Sequence, residues 1–196
     1  TIHDFGGFPK ALFDVQYPAP GDPALAKTIA EGVSSTTVGL DGNWGFDHGA
    51  WSVARPMYPA ADIPMLQLSI DYEKPGEYHY LLAKELATLR KKGVLIIGSG
   101  NMVHNLRMVD FSNINAEKGY DWAIEINEVF KKKILDGDHA PLQNYLSLGR
   151  AAQLAIPTPD HYWPLLYTLG LQEKGEAATI FNDKAVAGSL TMTSVK

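Results

Sequence analysis

His104, His161 and His48 each lie beside a turn rich in glycine or proline. A histidine displayed in that way can hold a metal ion or move a proton near neutral pH. The first sits in Val94-Leu-Ile-Ile-Gly-Ser-Gly-Asn-Met-Val-His104-Asn-Leu-Arg107, where an apolar, β-branched run ends in Gly98-Ser99-Gly100-Asn101. Ligands of open α/β sheets bind just beyond the carboxyl ends of the strands, so His104 is expected at the mouth of a site. The second motif is Gly42-Asn-Trp-Gly-Phe-Asp47-His48-Gly49. Asp47 there either caps the following helix or orients the His48 ring and fixes its tautomer. The third is Pro157-Thr-Pro-Asp-His161-Tyr-Trp-Pro164. Thr158-Pro159 reads as a helix start, and a first-turn histidine near the positive end of the dipole favours the neutral imidazole that metals bind. One such histidine is more often structural than a ligand; the weight rests on three together.

The elements that must position these residues alternate. Pro23 opens a helix through about Val33, and a short helix over Ala50–Arg55 is expected to end at Pro56. Further helices are expected over Pro75–Lys92, 121–135 and 160–170. Strands are expected at Thr36–Leu40, Met65–Ile70, the run from Val94, 177–181 and 189–195. The pattern predicts an α/β fold, a single domain with a central, largely parallel or mixed sheet flanked by helices.

Composition narrows the chemistry. The chain has 196 residues and a net charge of −5, which gives no support for nucleic-acid binding. Arg90-Lys91-Lys92 and Lys131-Lys132-Lys133 read as helix C-termini, where cations complement the dipole. There are no cysteines, so disulfides, thiolate metal sites and a cysteine nucleophile are excluded. Any metal must be held by histidine, carboxylate or water. No apolar run approaches the ~20 residues that cross a bilayer, and no signal peptide is visible. The absence of cysteine fits a reducing compartment, and a cytoplasmic setting is expected.

The Gly-Phe-Asp-His-Gly loop, the Ser-Gly-Asn-x-x-His-Asn-Leu-Arg turn and the Pro-Thr-Pro-Asp-His-Tyr segment occur here in that order. Together they resemble the class III extradiol ring-cleavage dioxygenases, in the branch of DOPA 4,5-dioxygenase-like proteins. The opening Thr-Ile-His-Asp-Phe-Gly-Gly-Phe-Pro and the ending Gly-Ser-Leu-Thr-Met-Thr-Ser-Val resemble that branch as well, so the likeness spans essentially the whole chain. The resemblance implies that His161 supplies a late metal ligand. It implies for His104 either a second ligand, as in zinc-containing members, or the acid/base beside an iron. His48 matches an active-site histidine near the substrate; His3 and Asn101 are weaker pocket candidates. Members of the family also carry Gly-His-Gly-Ser-Pro and Ser-Ala-His-Trp turns whose histidines are ligands. Neither occurs here, and residues 1–196 are expected to form one catalytic domain lacking its N-terminal βα segment.

The implied chemistry is extradiol cleavage of a catechol such as DOPA with O2, at one divalent ion: Fe(II) for oxygenase activity, or Zn(II). It needs open coordination positions, a base for a catechol proton and an acid that assists O–O cleavage. The alternative is a zinc-binding protein of the same fold without oxygenase activity, a hydrolase or a binding module. Phe5, Phe8, Trp44 and Phe46 either wall a pocket for an aromatic ring or belong to the core. His79, at the start of a charged helix, and His139, beside Asp136-Gly137-Asp138, are expected to be solvated.

Overall fold

The computed structural model describes residues 1–196. Their contacts divide into two compact units, Thr1–Ser69 and Ile70–Lys196.

Thr1–Ser69 is loop-rich, with three helices: α1 (Lys10–Phe13), α2 (Pro23–Gly32) and α3 (His48–Met57). Pro23 occupies the first turn of α2, and the Asp22 carboxylate accepts the Leu25 N–H. That start follows the sequence signal. Asp47 caps α3 by accepting the Ala50 N–H at 2.9 Å, while its second oxygen accepts from Gln67 Nε2. Contrary to expectation, Pro56 does not end α3. It falls in the last turn, where its missing N–H removes one bond, and the Tyr58 N–H still reaches the Ala54 carbonyl. Tyr17, Trp51 and Ala54 form the small core, with Phe5, Val15, Phe46 and Met65 packed around it. Trp51 Nε1–H donates to the Ile2 carbonyl and the Tyr17 hydroxyl to that of Tyr58, so the buried rings also tie down the loops. Asp47→Ala removes the cap and is expected to cost ~1 kcal/mol in urea unfolding, with Asp47→Ser keeping most of the wild-type value.

Ile70–Lys196 contains α4 (Gly76–Leu86), α5 (Asp121–Leu135), α6 (Ala140–Gln143), α7 (Arg150–Ala155) and α8 (Trp163–Gly170). Helix α4 continues as a 3₁₀ turn over Ala87–Lys92 and stops at Gly93, whose φ of 78° suits glycine. The basic run lies at that terminus as expected, with Arg90 forked onto Glu176 and donating to the Leu171 carbonyl. In α5 the buried positions Ala123, Ile126, Asn127, Phe130 and Ile134 form one stripe, Asp121 leads and Lys132-Lys133 close. The core gathers that stripe with Leu142, Tyr162, Leu166 and Leu169. Helices α4 and α8 meet closely at Gly170, where a Cβ would stand 2.5 Å from the Tyr80 carbonyl oxygen.

The expected central sheet is not found. The strands are β1 (Ile180–Phe181), β2 (Ala185–Val186), β3 (Leu190–Thr191) and β4 (Ser194–Val195), all short. They pair antiparallel as β1 with β4 and β2 with β3, in the registers Ile180↔Val195 and Val186↔Leu190. Thr36–Leu40, Met65–Ile70 and Val94–Ile97 carry the sequence pattern of strands without a ladder. The period of two is still visible: Val94 and Ile96 are half-buried, whereas Leu95 and Ile97 are 62% and 45% exposed. Alternation dictates which side chains face the core, but a ladder also needs a neighbouring backbone in register. From Leu95 to Gly100 no backbone group has a backbone partner.

His79 and His139 are buried, not solvated. The period of α4 places His79 on the face of Leu82, Ala83 and Leu86, although charged residues surround it in sequence. Its ring stacks on Trp163 with 5.3 Å between centroids, and Nδ1 shares a hydrogen bond with the Tyr167 hydroxyl. His139 Nδ1 pairs likewise with the Tyr80 hydroxyl. Burial pushes both imidazoles below the usual value of 6.5. The folded state therefore keeps them neutral while the unfolded chain takes up protons below about 6.5, so stability present above that pH is lost as pH falls. The loss is expected to set in below about 6.5 and to deepen down to the lowered folded-state values of the two histidines. Urea titrations at several pH values check it, and His139→Gln should remove one proton's share of the slope.

Candidate active site

The turn at Gly98–Asn101 is fixed against α8. A Cβ on Gly98 would lie 2.4 Å from the Pro164 carbonyl oxygen, and one on Gly100 would lie 2.2 Å from that of His161. Only glycine lets the two backbones approach this closely. The Asn101 N–H then donates to the His161 carbonyl at 2.7 Å, and its side-chain amide donates to the Thr191 carbonyl. Met102 and Val103 are buried just beyond, so the chain leaves the turn along one path. His104 N–H donates to the Ala155 carbonyl at the end of α7, and His104 bridges to Leu190 of β3. Asn105, also buried, donates from its amide to the Leu154 carbonyl.

His161 arrives from the opposite side, immediately before α8. The fully buried Tyr162 anchors it, donating its hydroxyl to the Leu142 carbonyl. As a result the His104 and His161 rings stack, with centroids 3.9 Å apart and planes 14° from parallel. Asp160 Oδ2 lies 2.7 Å from His161 Nδ1. Burial works against the Asp160 charge, but the Thr158 hydroxyl and His161 together hold its carboxyl below the usual value. Burial first, and then neighbouring His161, push His104 down to about 4. At neutral pH His104 is a free base.

In Thr1–Ser69 a second carboxylate–imidazole pair forms. Asp4 Oδ1 accepts from both the His48 backbone N–H and Nδ1, at 2.9 and 2.8 Å. The open question about Asp47 is thereby resolved: Asp47 caps α3, and Asp4 orients the His48 ring. The Phe5 ring stands 5.7 Å from His48 edge to face and also contacts His3, Phe8, Phe13 and Trp51. His3 spends Nε2 on the Val15 carbonyl. Of the four aromatics left open between pocket wall and core, Phe5 and Phe46 pack on the core, whereas Phe8 and Trp44 are exposed.

The structure thus brings Asn101, His104 and His161 together, and groups His3 with His48 around Phe5 in the other unit. Sequence reasoning missed Asp4 and Asp160. Asp160 is adjacent to His161, a signal that was present; Asp4 is 44 residues from His48 and left none. No three His, Asp or Glu side chains form a group that could by itself hold an ion. His161 nevertheless fits a ligand: a carboxylate on Nδ1 leaves Nε2 as the lone-pair donor, the arrangement that orients metal-binding histidines.

Residues 1–181 match the family described as the catalytic LigB subunit of aromatic ring-opening dioxygenase. The chain is similar to the 4,5-DOPA dioxygenase extradiol of Escherichia coli K12, at 48% identity over all of this chain and 73% of that protein. It is similar to the protein of the same name from Beta vulgaris at 34% identity, over all of this chain and 73% of the other. Among solved structures, an uncharacterized protein from Escherichia coli K12 aligns with a TM-score of 0.84 and 44% identity, covering 94% of this chain and 76% of that one.

Proposed function

This chain belongs to the LigB family of aromatic ring-opening dioxygenases, and we propose that it is an extradiol enzyme that opens a catechol such as DOPA with O2. The observation that carries the residue assignment is the stacked pair of His104 and His161, with Asp160 behind the second ring. The two rings lie in near-parallel planes with their centroids 3.9 Å apart. Within metal-binding distance the rings share no plane in which one ion could lie. The pair therefore divides the work: His161 is the group that would hold the ion, and His104 is the proton carrier beside it. Fe(II), when bound, supplies the redox chemistry that lets O2 add to the ring.

As a free base at neutral pH, His104 would take the proton of a catechol hydroxyl at its ring nitrogen and give it back as the ring opens. Its backbone is held at Ala155 and Leu190, so the ring keeps its place while the proton moves. Asn101 ties the turn to His161 and Thr191 through its backbone N–H and its side-chain amide. Within Thr1–Ser69, His48 has Nδ1 on Asp4, which leaves Nε2 as the nitrogen that the family resemblance offers to a substrate; His3 is committed to the Val15 carbonyl. No helix is long and apolar enough to cross a membrane. The cytoplasmic setting belongs to this reading, supported by the lack of cysteine.

The test is oxygen uptake with a panel of catechols, DOPA included, by protein loaded anaerobically with Fe(II). A yellow ring-opened product that forms with iron and not with zinc, which is redox-inert, is the expected result. No consumption of any catechol at stoichiometric iron would remove the reading.

A further inference from the structure

We propose that Asp160 is the positioning residue of this site: its carboxylate holds His161 as the Nδ1–H tautomer, so that Nε2 alone carries the free lone pair. The assignment deepens the proposed function and rests on it only for the use made of that nitrogen. An ionised carboxylate has no donor, so the 2.7 Å contact to Nδ1 requires the hydrogen on the imidazole.

Apart from His161, the Asp160 carboxyl meets only the Thr158 hydroxyl. Helix α8 has no side-chain cap, so the carboxylate does not serve its N-terminus. The second oxygen, Oδ1, is buried without a hydrogen-bond partner. A buried carboxylate oxygen left without a partner carries a cost even where the rest of the side chain meets solvent. What it acts on is a ring otherwise fixed on two sides. The His161 carbonyl is pinned by the Asn101 N–H and closed in by Gly100, and one ring face is covered by His104. The remaining choices are the flip of the ring and the nitrogen that bears the hydrogen. Asp160 removes both. The same logic appears independently at Asp4 and His48.

Long-range ¹H–¹⁵N correlation spectra of the metal-free protein in mildly alkaline buffer read the tautomer directly. His161 is expected as Nδ1–H in the wild type and as a mixture in Asp160→Asn, with the carboxylate variant Asp160→Glu moving it back. Zn(II) affinity, read by competition with a chromophoric chelator, should fall ~10–100-fold in Asp160→Asn and recover in part in Asp160→Glu. A wild-type His161 found as Nε2–H overturns the proposal without any variant. So does an Asp160→Asn protein with unchanged tautomer and unchanged Zn(II) affinity. Failure of the wild type to consume catechols removes the ring-opening reading instead and leaves the tautomer assignment standing.

Discussion

His161→Ala is expected to lose bound iron and turnover together, whereas His104→Ala keeps the iron and loses turnover alone. The distinction follows from the stack: rings 3.9 Å apart with planes 14° from parallel do not share a plane within metal-binding distance, and only His161 has a carboxylate on its second nitrogen. Removing a general acid/base costs about 10²–10⁴-fold in rate, and the loss in His104→Ala should appear in kcat at constant KM. Metal content by elemental analysis, beside oxygen uptake on the same preparations, separates the two variants. Equal loss of iron in both would make both histidines ligands and would refute the division of labour.

Gly100→Ala should be the most damaging single-methyl change in the chain. Its Cβ would meet a backbone oxygen at 2.2 Å, and that oxygen already accepts the Asn101 N–H. Neither side can give way cheaply, because Met102 and Val103 anchor one strand of the contact and Tyr162 the other. Overpacking of this kind costs ~1–3 kcal/mol in stability. The effect on catalysis should be larger, since the displaced carbonyl belongs to His161 and a 1 Å error in a reacting group costs about 10²-fold. Gly32→Ala, at the end of α2 with nothing within 4 Å of the added methyl, is the matched control. It should leave both stability and kcat near wild type.

What the sequence made legible was whatever local pattern decides. Helix α5 runs over the expected 121–135, because its apolar stripe, leading Asp121 and closing lysines all agree. The turn at Gly98–Asn101 also lies where the glycines place it, and with it the route to His104. The sheet was not legible, since Val94–Ile97 shows the alternation of a strand while its backbone groups find no ladder. Pairing is a property of two segments, and periodicity describes one. His79 failed for a related reason: its neighbours in sequence are charged, but its neighbours on the α4 face are not. His48, His104 and His161 could be singled out from their turns, whereas the carboxylate behind His48 could not, because 44 residues separate it from its partner.

Extradiol cleavage places both atoms of one O2 in a ring opened beside its two hydroxyls. Turnover under ¹⁸O₂, with mass spectrometry of the ring-opened product quenched before exchange, tests it most directly. Two labelled oxygens in a product formed by Fe(II)-loaded protein, absent in His104→Ala, is the result expected here. A product carrying one label or none, or a catechol recovered intact while oxygen is consumed, would contradict it.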